Sequence, residues 1–302
     1  MNNAAEKSLN AKQFKILTCI ESAGRMMSQR ELAAATQLSL GSINSTVSKL
    51  KEAGFLGSNG LTEAGYAALE PYRVKRAIFI AAGFGSRMVP ITLNTPKPLV
   101  RVKGTRIIDT LLDAVLQAGI EEIYIVRGYL GEQFDQLLYK YPMVKFLENP
   151  AYNEANNISS ALIAKDLLQN AYVFEADLLI SNPSIIKKYH YTSDFLAIKK
   201  DRTDDWCFEV KNGVIVEEKV CGLDCWQMVG VSYWNEEDVK KLSQDIADVF
   251  ATPGGKERYW EQVPLVYRKA NYSVAVMECF DEDIVEIDTF RELKLIDKIY
   301  DV

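Results

Sequence analysis

The sequence predicts an α/β chain in two parts: a small helical unit over residues 1–73, then a larger unit over 74–302 in which short strands alternate with helices. Three observations carry this. Apolar residues at helical spacing, with cap signals, fill residues 10–54. From residue 74 onward, short apolar runs alternate with helical stretches, the pattern of a sheet covered on both faces. The charge divides at the same place: residues 1–75 hold 9 Lys/Arg against 6 Asp/Glu, and residues 76–302 hold 26 against 35.

With 302 residues, 48% hydrophobic and 25% charged, the chain has the composition of a globular protein with a large core, not of a disordered or fibrous one. No apolar run approaches the roughly 18 residues that cross a bilayer, and the polar start MNNAAEKSLN does not read as a signal peptide, so a cytoplasmic location without a membrane segment is expected. Five scattered cysteines, an odd number, suggest reduced thiols, and the two in CGLDC (Cys221, Cys225) are expected as hairpin thiols. A single histidine, His190, excludes a multi-histidine metal site and leaves any metal to carboxylates.

In the first unit, Phe14, Leu17 and Ile20 line one helix face and Gly24 ends that helix. Ser28 and Glu31 form an S-x-x-E capping box before a short Ala-rich helix. Ser39 to Gly41 read as a turn, with Ser42 able to cap a third helix carrying Ile43, Val47 and Leu50. The pieces FLGS, Asn59-Gly60 and LTEAGYAAL then predict strand, turn and helix. Residues 8–72 resemble the winged helix-turn-helix domain of MarR-type regulators. The resemblance implies DNA as a partner through residues 28–60, with Ser42, Asn44, Ser45, Ser48 and Lys49 facing the groove. Few of these are charged, so a role in dimerisation, as in a homodimer, or in regulation stays open.

The second unit opens with VKRAIFIAA, a buried strand that runs into Ala82-Gly83-Phe84-Gly85-Ser86-Arg87 and then Thr95-Pro96-Lys97-Pro98-Leu99. Glycines there let backbone N–H groups close on phosphate oxygens. A dinucleotide fingerprint is disfavoured, because Met88 stands where its third glycine belongs and P-K-P-L has no part in it. The stretch AAGFGSRMVPITLNTPKPLVRVKG is similar to the G-x-G-x-R…P-K-P-L signature of NTP-dependent nucleotidyltransferases. That resemblance implies a Rossmann-like mixed sheet and transfer of a nucleotidyl group. Arg87 would then clamp the departing phosphates and Lys97 would reach the α-phosphate or the acceptor phosphate.

Beyond the loop, helices are expected at Ile107 to Ala118, around Glu132 to Tyr139 and at Ile158 to Leu168, with strands in EEIYIVRGYL, MVKFLEN and AYVFEADLL. Asp177 ends the last strand, where open α/β sheets place ligand chemistry, and suits a Mg²⁺ ligand. The resemblance implies Asp288, in E-I-D-T, as the second metal aspartate; its rival reading is a helix N-cap. Glu286 and Glu175 point the same way as their aspartate neighbours.

Between the aspartates the chain is rich in Trp and Tyr, most of them expected in packing. Trp206 after DRTDD, and Tyr259-Trp260 among Glu257, Arg258 and Glu261, are expected near the surface, where rings beside carboxylates suit a quaternary ammonium. GYLGEQF, NEANNISSAL, E-A-D, GVSYW, RYWEQV and VEIDTFREL together resemble LicC-type CTP:phosphocholine cytidylyltransferases over residues 74–302. This implies CTP and phosphocholine as substrates and Mg²⁺ as cofactor. It implies nucleotide contacts from Ala81, Ala82, Gly83, Gly85, Ser86, Arg87, Tyr129 and Asn157. Acceptor contacts would come from Lys97, Trp206, Glu257, Tyr259 and Trp260. Phosphoethanolamine or 2-aminoethylphosphonate stays open as the acceptor, since a primary ammonium prefers carboxylates to rings. A transcription regulator that uses the second unit as a ligand sensor is the alternative of a different class.

Overall fold

Asn10 starts the first helix, α1 (Ala11–Ala23), by accepting from the N–H groups of Lys12 and Gln13, and Gly24 stops it with a left-handed φ of 62°. The computed structural model describes residues 9–301. It separates into two units, Met1–Arg73 with Tyr189–Tyr191, and Val74–Lys188 with Thr192–Val302.

In the first unit, Ser28 caps α2 (Gln29–Thr36) in the expected box with Glu31. The third helix, α3 (Leu40–Glu52), starts earlier than the sequence suggested. Gln37 takes the left-handed turn (φ 58°) and Ser39 becomes the cap, its Oγ accepting from the Ser42 N–H at 3.3 Å, so Ser42 is not the cap. The wing shrinks to one bridge, Leu56 with Leu61, before α4 (Glu63–Leu69). Leu17, Ile20, Leu32, Ile43 and Leu50 meet in a core that Tyr72 closes; its hydroxyl both donates to and accepts from the Leu9 backbone. Each such buried aliphatic side chain contributes about 1.5–3 kcal/mol. His190 is buried in this unit, its N–H donating to the Tyr72 carbonyl.

The second unit begins with β1 (Arg76–Ala81) and a two-residue pair, β2 (Arg101–Val102) with β3 (Thr105–Arg106). There follow α5 (Ile107–Gln117), β4 (Glu122–Arg127), β5 (Val144–Glu148) and α6 (Ile158–Ala164). Next come β6 (Ala171–Glu175), β7 (Leu178–Ile180) and the long hairpin of β8 (Asp194–Lys211) and β9 (Val214–Trp234). Last are α7 (Glu236–Phe250), β10 (Ala275–Cys279), β11 (Ile284–Glu286) and α8 (Phe290–Ile296).

Seven strands form one sheet in the order β10-β8-β9-β6-β1-β4-β5, with β1 parallel to both β4 and β6, and β9 antiparallel to β6 and β8. This is the mixed α/β sheet the sequence predicted. Strand alternation explains its double burial: Ala77, Phe79 and Ala81 pack with α5 on one face, while Ile78 packs with α6 and α7 on the other. Two expectations change. Residues Gly131–Tyr139 wind as a 3₁₀ run, not an α-helix, and AYVFEADLL is two strands, because β7 leaves the main sheet to pair with β11. Among the described residues no helix is long and apolar enough to cross a membrane.

Candidate active site

The loop after β1 is shaped by Gly85, whose φ is +61° and whose missing Cβ would meet Lys97 Cβ at 3.0 Å and Thr92 Cγ2 at 3.1 Å. Only glycine combines that backbone with that proximity. Thr92 Oγ1 donates to the Gly85 carbonyl at 2.8 Å, pinning the loop to the segment that carries Lys97. Pro96 and Pro98 hold Lys97 in a 3₁₀ turn, leaving it 8% exposed.

Lys97 reaches two carboxylates from distant parts of the chain: Nζ donates to Asp177 Oδ2 at 2.7 Å and to Asp288 Oδ1 at 3.1 Å. The mostly exposed Arg87 guanidinium pairs with the other Asp288 oxygen. Asp177 sits in the break between β6 and β7, and Asp288 follows β11, so the β7–β11 ladder sets their spacing. The Ile287 N–H donates to the Asp177 carbonyl at 3.1 Å, which ties the two ends directly. Thr289, not Asp288, caps α8, which removes the rival reading of Asp288 as a cap. Burial works against the Lys97 ammonium, yet Asp177 and Asp288 hold its pKa above the ordinary value.

Asp177, Glu286 and Asp288 each offer an oxygen within 4.8 Å of the others. Asp177 Oδ1 is buried with no hydrogen-bond partner. Burial first, then the neighbouring Asp177, pushes the Glu286 carboxyl up to about 8. An all-oxygen set with an orphaned carboxylate oxygen fits a hard divalent cation such as Mg²⁺.

A cleft of about 350 Å³ opens over this cluster. Ala81, Gly83, Gly85, Ser86, Arg87 and Lys97 form one wall, and Asn157, Trp206, Tyr259, Asp177 and Asp288 also face it. Trp206 and Tyr259 meet edge-on, centroids 5.8 Å apart at 63°. Four singled-out residues lie elsewhere. Ala82 is buried beside the loop, accepting from the Tyr129 N–H, and Tyr129 turns its hydroxyl to the Thr92 and Leu93 carbonyls. Glu257 sits on a 3₁₀ turn, its carbonyl accepting from Asn156. Trp260 is 3% exposed and packs on Phe195 and Trp234, so it is core and not near the surface.

The cleft adds three acids that were not expected as acceptor contacts: Glu175, Asp205 and Glu261, the last expected near the surface beside the rings. Glu261 is buried and accepts from Asn157 Nδ2 at 3.3 Å. Burial pushes its carboxyl up to about 7. Asp205 stands beside Trp206 in TDDW, and strand alternation in VFEAD aims Glu175 with Asp177; those were the available signals.

In the first unit, Asn44, Ser45, Ser48 and Lys49 lie on the exposed face of α3 and Ser42 is half-buried at its edge. Asn44 accepts from Gln29 across the turn, and Ser48 donates to Glu52 at 2.9 Å.

A mixed α/β sheet with a glycine loop, a proline-bound lysine and two strand-end aspartates defines a nucleotidyltransferase, and the chain belongs to the nucleotidyl transferase family, whose model matches residues 76–211. Two relatives that match most of the second unit are cytidylyltransferases. The chain is 38% identical to the 2-aminoethylphosphonate cytidylyltransferase of Lancefieldella rimae, over 74% of this chain and 92% of that one. It is 30% identical to the choline-phosphate cytidylyltransferase of Streptococcus pneumoniae, over 74% of this chain and 97% of that one. The solved CTP:phosphocholine cytidylyltransferase (LicC) of Streptococcus pneumoniae superposes with a TM-score of 0.69 at 30% identity, covering 75% of this chain and 99% of that one. A winged helix-turn-helix DNA-binding model matches residues 9–56.

Proposed function

We propose that this chain transfers the cytidylyl group of CTP to the phosphonate oxygen of 2-aminoethylphosphonate, releasing pyrophosphate. The single observation that carries the choice of acceptor is the acidic end of the cleft: Glu175, Asp205 and Glu261 stand there with only two rings, Trp206 and Tyr259. A primary ammonium brings three N–H donors that need acceptors, whereas a quaternary ammonium brings none and gains from a fuller cage of rings. The relative named for 2-aminoethylphosphonate supports the same choice.

The acceptor oxygen attacks the α-phosphorus in line, forming the new P–O bond as the bond to the bridging oxygen breaks. No protein base is required, because the attacking group is already ionised. Lys97 neutralises the α-phosphate or the acceptor oxyanion, and Arg87 swings from Asp288 to the departing pyrophosphate. Asp177 and Asp288, with Glu286, would hold Mg²⁺, which supplies positive charge to the phosphates. The backbone of Gly83 to Ser86 receives phosphate oxygens, and Asn157, which faces the cleft, holds Glu261 in place.

Phosphocholine is the second reading, favoured by the edge-on Trp206–Tyr259 pair. Pyrophosphate release from CTP with 2-aminoethylphosphonate, phosphoethanolamine and phosphocholine in turn separates them. Turnover with phosphocholine alone would overturn the acidic-end argument, and turnover with none would overturn the transferase reading. The domain of residues 1–73 serves as a DNA-binding module on this proposal.

A further inference from the structure

The CGLDC stretch of residues 221–225 takes no part in catalysis as proposed, yet three thiols gather there. Cys207 on β8 and Cys225 on β9 are both buried, and both sulfurs crowd Gly222: a Cβ at that position would lie 2.7 Å from Cys207 Sγ and 2.9 Å from Cys225 Sγ. Any other residue there would push the sulfurs apart. The thiols of Cys207 and Cys225 interact with each other, and Cys221 is near enough to add to their electrostatics. Cys221 itself is exposed and its thiol donates to the Asp204 carbonyl at 3.3 Å. The chain is bent sharply around the group, since Cys221 (φ 66°) and Asp224 (φ 45°) both take the left-handed conformation, which side chains disfavour. The β8–β9 register also breaks here, Cys207 facing both Lys219 and Gln227.

We propose that Cys207 and Cys225 are a modification site, a thiol pair that closes to a disulfide by exchange with a small-molecule disulfide, with Cys221 as the thiol that attacks first. Burial pushes the Cys207 thiol up to about 11, which makes it a poor first nucleophile and leaves that step to the exposed cysteine. The Cys221 thiolate attacks the small disulfide and one small thiol leaves. Cys225 gives its proton to solvent and displaces the second small thiol from the Cys221 sulfur. Cys207 then attacks the Cys225 sulfur and Cys221 leaves as a thiol. In sum, two protein thiols lose two electrons and two protons, and one small disulfide becomes two thiols.

The site lies against the cleft. Asp205 and Trp206, which line its acidic end, immediately precede Cys207, and Asp204 holds Cys221. Closing the bond moves Cys207 and with it the wall that receives the acceptor. This last consequence rests on the proposed acceptor end; the bond itself does not.

The test incubates the reduced full chain with excess oxidised glutathione, counts free thiols after denaturation, and maps the linked peptides. Titratable thiols are expected to fall from five to three, with Cys207 joined to Cys225 and full reversal by dithiothreitol. The oxidised protein should show an acceptor KM raised about threefold or more with the CTP KM unchanged. Cys225→Ser should make the kinetics indifferent to oxidant, and Cys221→Ser should slow closure about tenfold without changing its end point. Five thiols after oxidation, or a link from Cys221 to a second chain, would overturn the site. Linkage without a change in acceptor KM would overturn its coupling to the cleft. Mapping needs no substrate, so its failure is distinct from a wrong acceptor.

Discussion

The Lys97 ammonium donates to Asp177 Oδ2 at 2.7 Å, so a lysine from the proline-bound turn and an aspartate 80 residues later form one charged unit at the floor of the cleft. Asp177→Asn keeps the shape but removes the negative charge that both Lys97 and a divalent cation require. Turnover should fall at least about a hundredfold, with circular dichroism unchanged. Mg²⁺-dependent pyrophosphate release at the normal rate would take Asp177 out of the site.

Trp206→Ala removes one of the two rings at the acidic end while leaving the glycine loop intact. The KM for the acceptor should rise about tenfold and that for CTP should hardly move. Equal changes in both would assign Trp206 to packing.

Gly85→Ala forces a Cβ against Lys97 and Thr92 at a left-handed residue. The backbone cost alone is about 1–2 kcal/mol, and the displaced lysine should lower kcat by about tenfold. Thermal melts and steady-state rates on one preparation check both effects.

Glu218 has both carboxylate oxygens buried without a hydrogen bond of good geometry. Burial, and then the Glu261 charge, push it up to about 7. A raised folded pKa means that the fold prefers the neutral acid, so the stability is present below the ordinary carboxyl pKa and is lost as pH rises through 7. Glu218→Gln should therefore be more stable than the parent at pH 8, by no more than about 3 kcal/mol, and about equally stable at pH 4. A gain of the same size at both pH values would contradict this.

Retention of the chain on duplex DNA should weaken with salt if α3 meets the major groove. Lys49→Ala should reduce the log-log salt slope by about one. A flat salt response in the parent would remove DNA as the partner of that face.

Much of this architecture could be read from residue order alone. The Ser28–Glu31 box, the α5 stripe and the alternating faces of β1 are local patterns, and local patterns survive folding. Trp260 shows where such reading stops: its acidic sequence neighbours suggest a surface, but burial is decided by Phe195 and Trp234, which arrive from other strands. Glu261 fails for the same reason in reverse, since nothing beside it in sequence announces a buried acid facing a cleft. Ser42 was displaced as a cap by a left-handed Gln37, a conformation that residue type does not signal.

The β7–β11 ladder, with Glu286 opposite Leu178, makes this site more tolerant of substitution than of a change in length. Exchanging an apolar residue in either strand keeps every side chain on its face. Deleting one residue between Ile284 and Ile287 reverses the faces downstream and presents an aliphatic side chain where a carboxylate stood. Single-residue insertions and deletions scanned through this short ladder should thus be far more damaging than the same changes in the loop after α7.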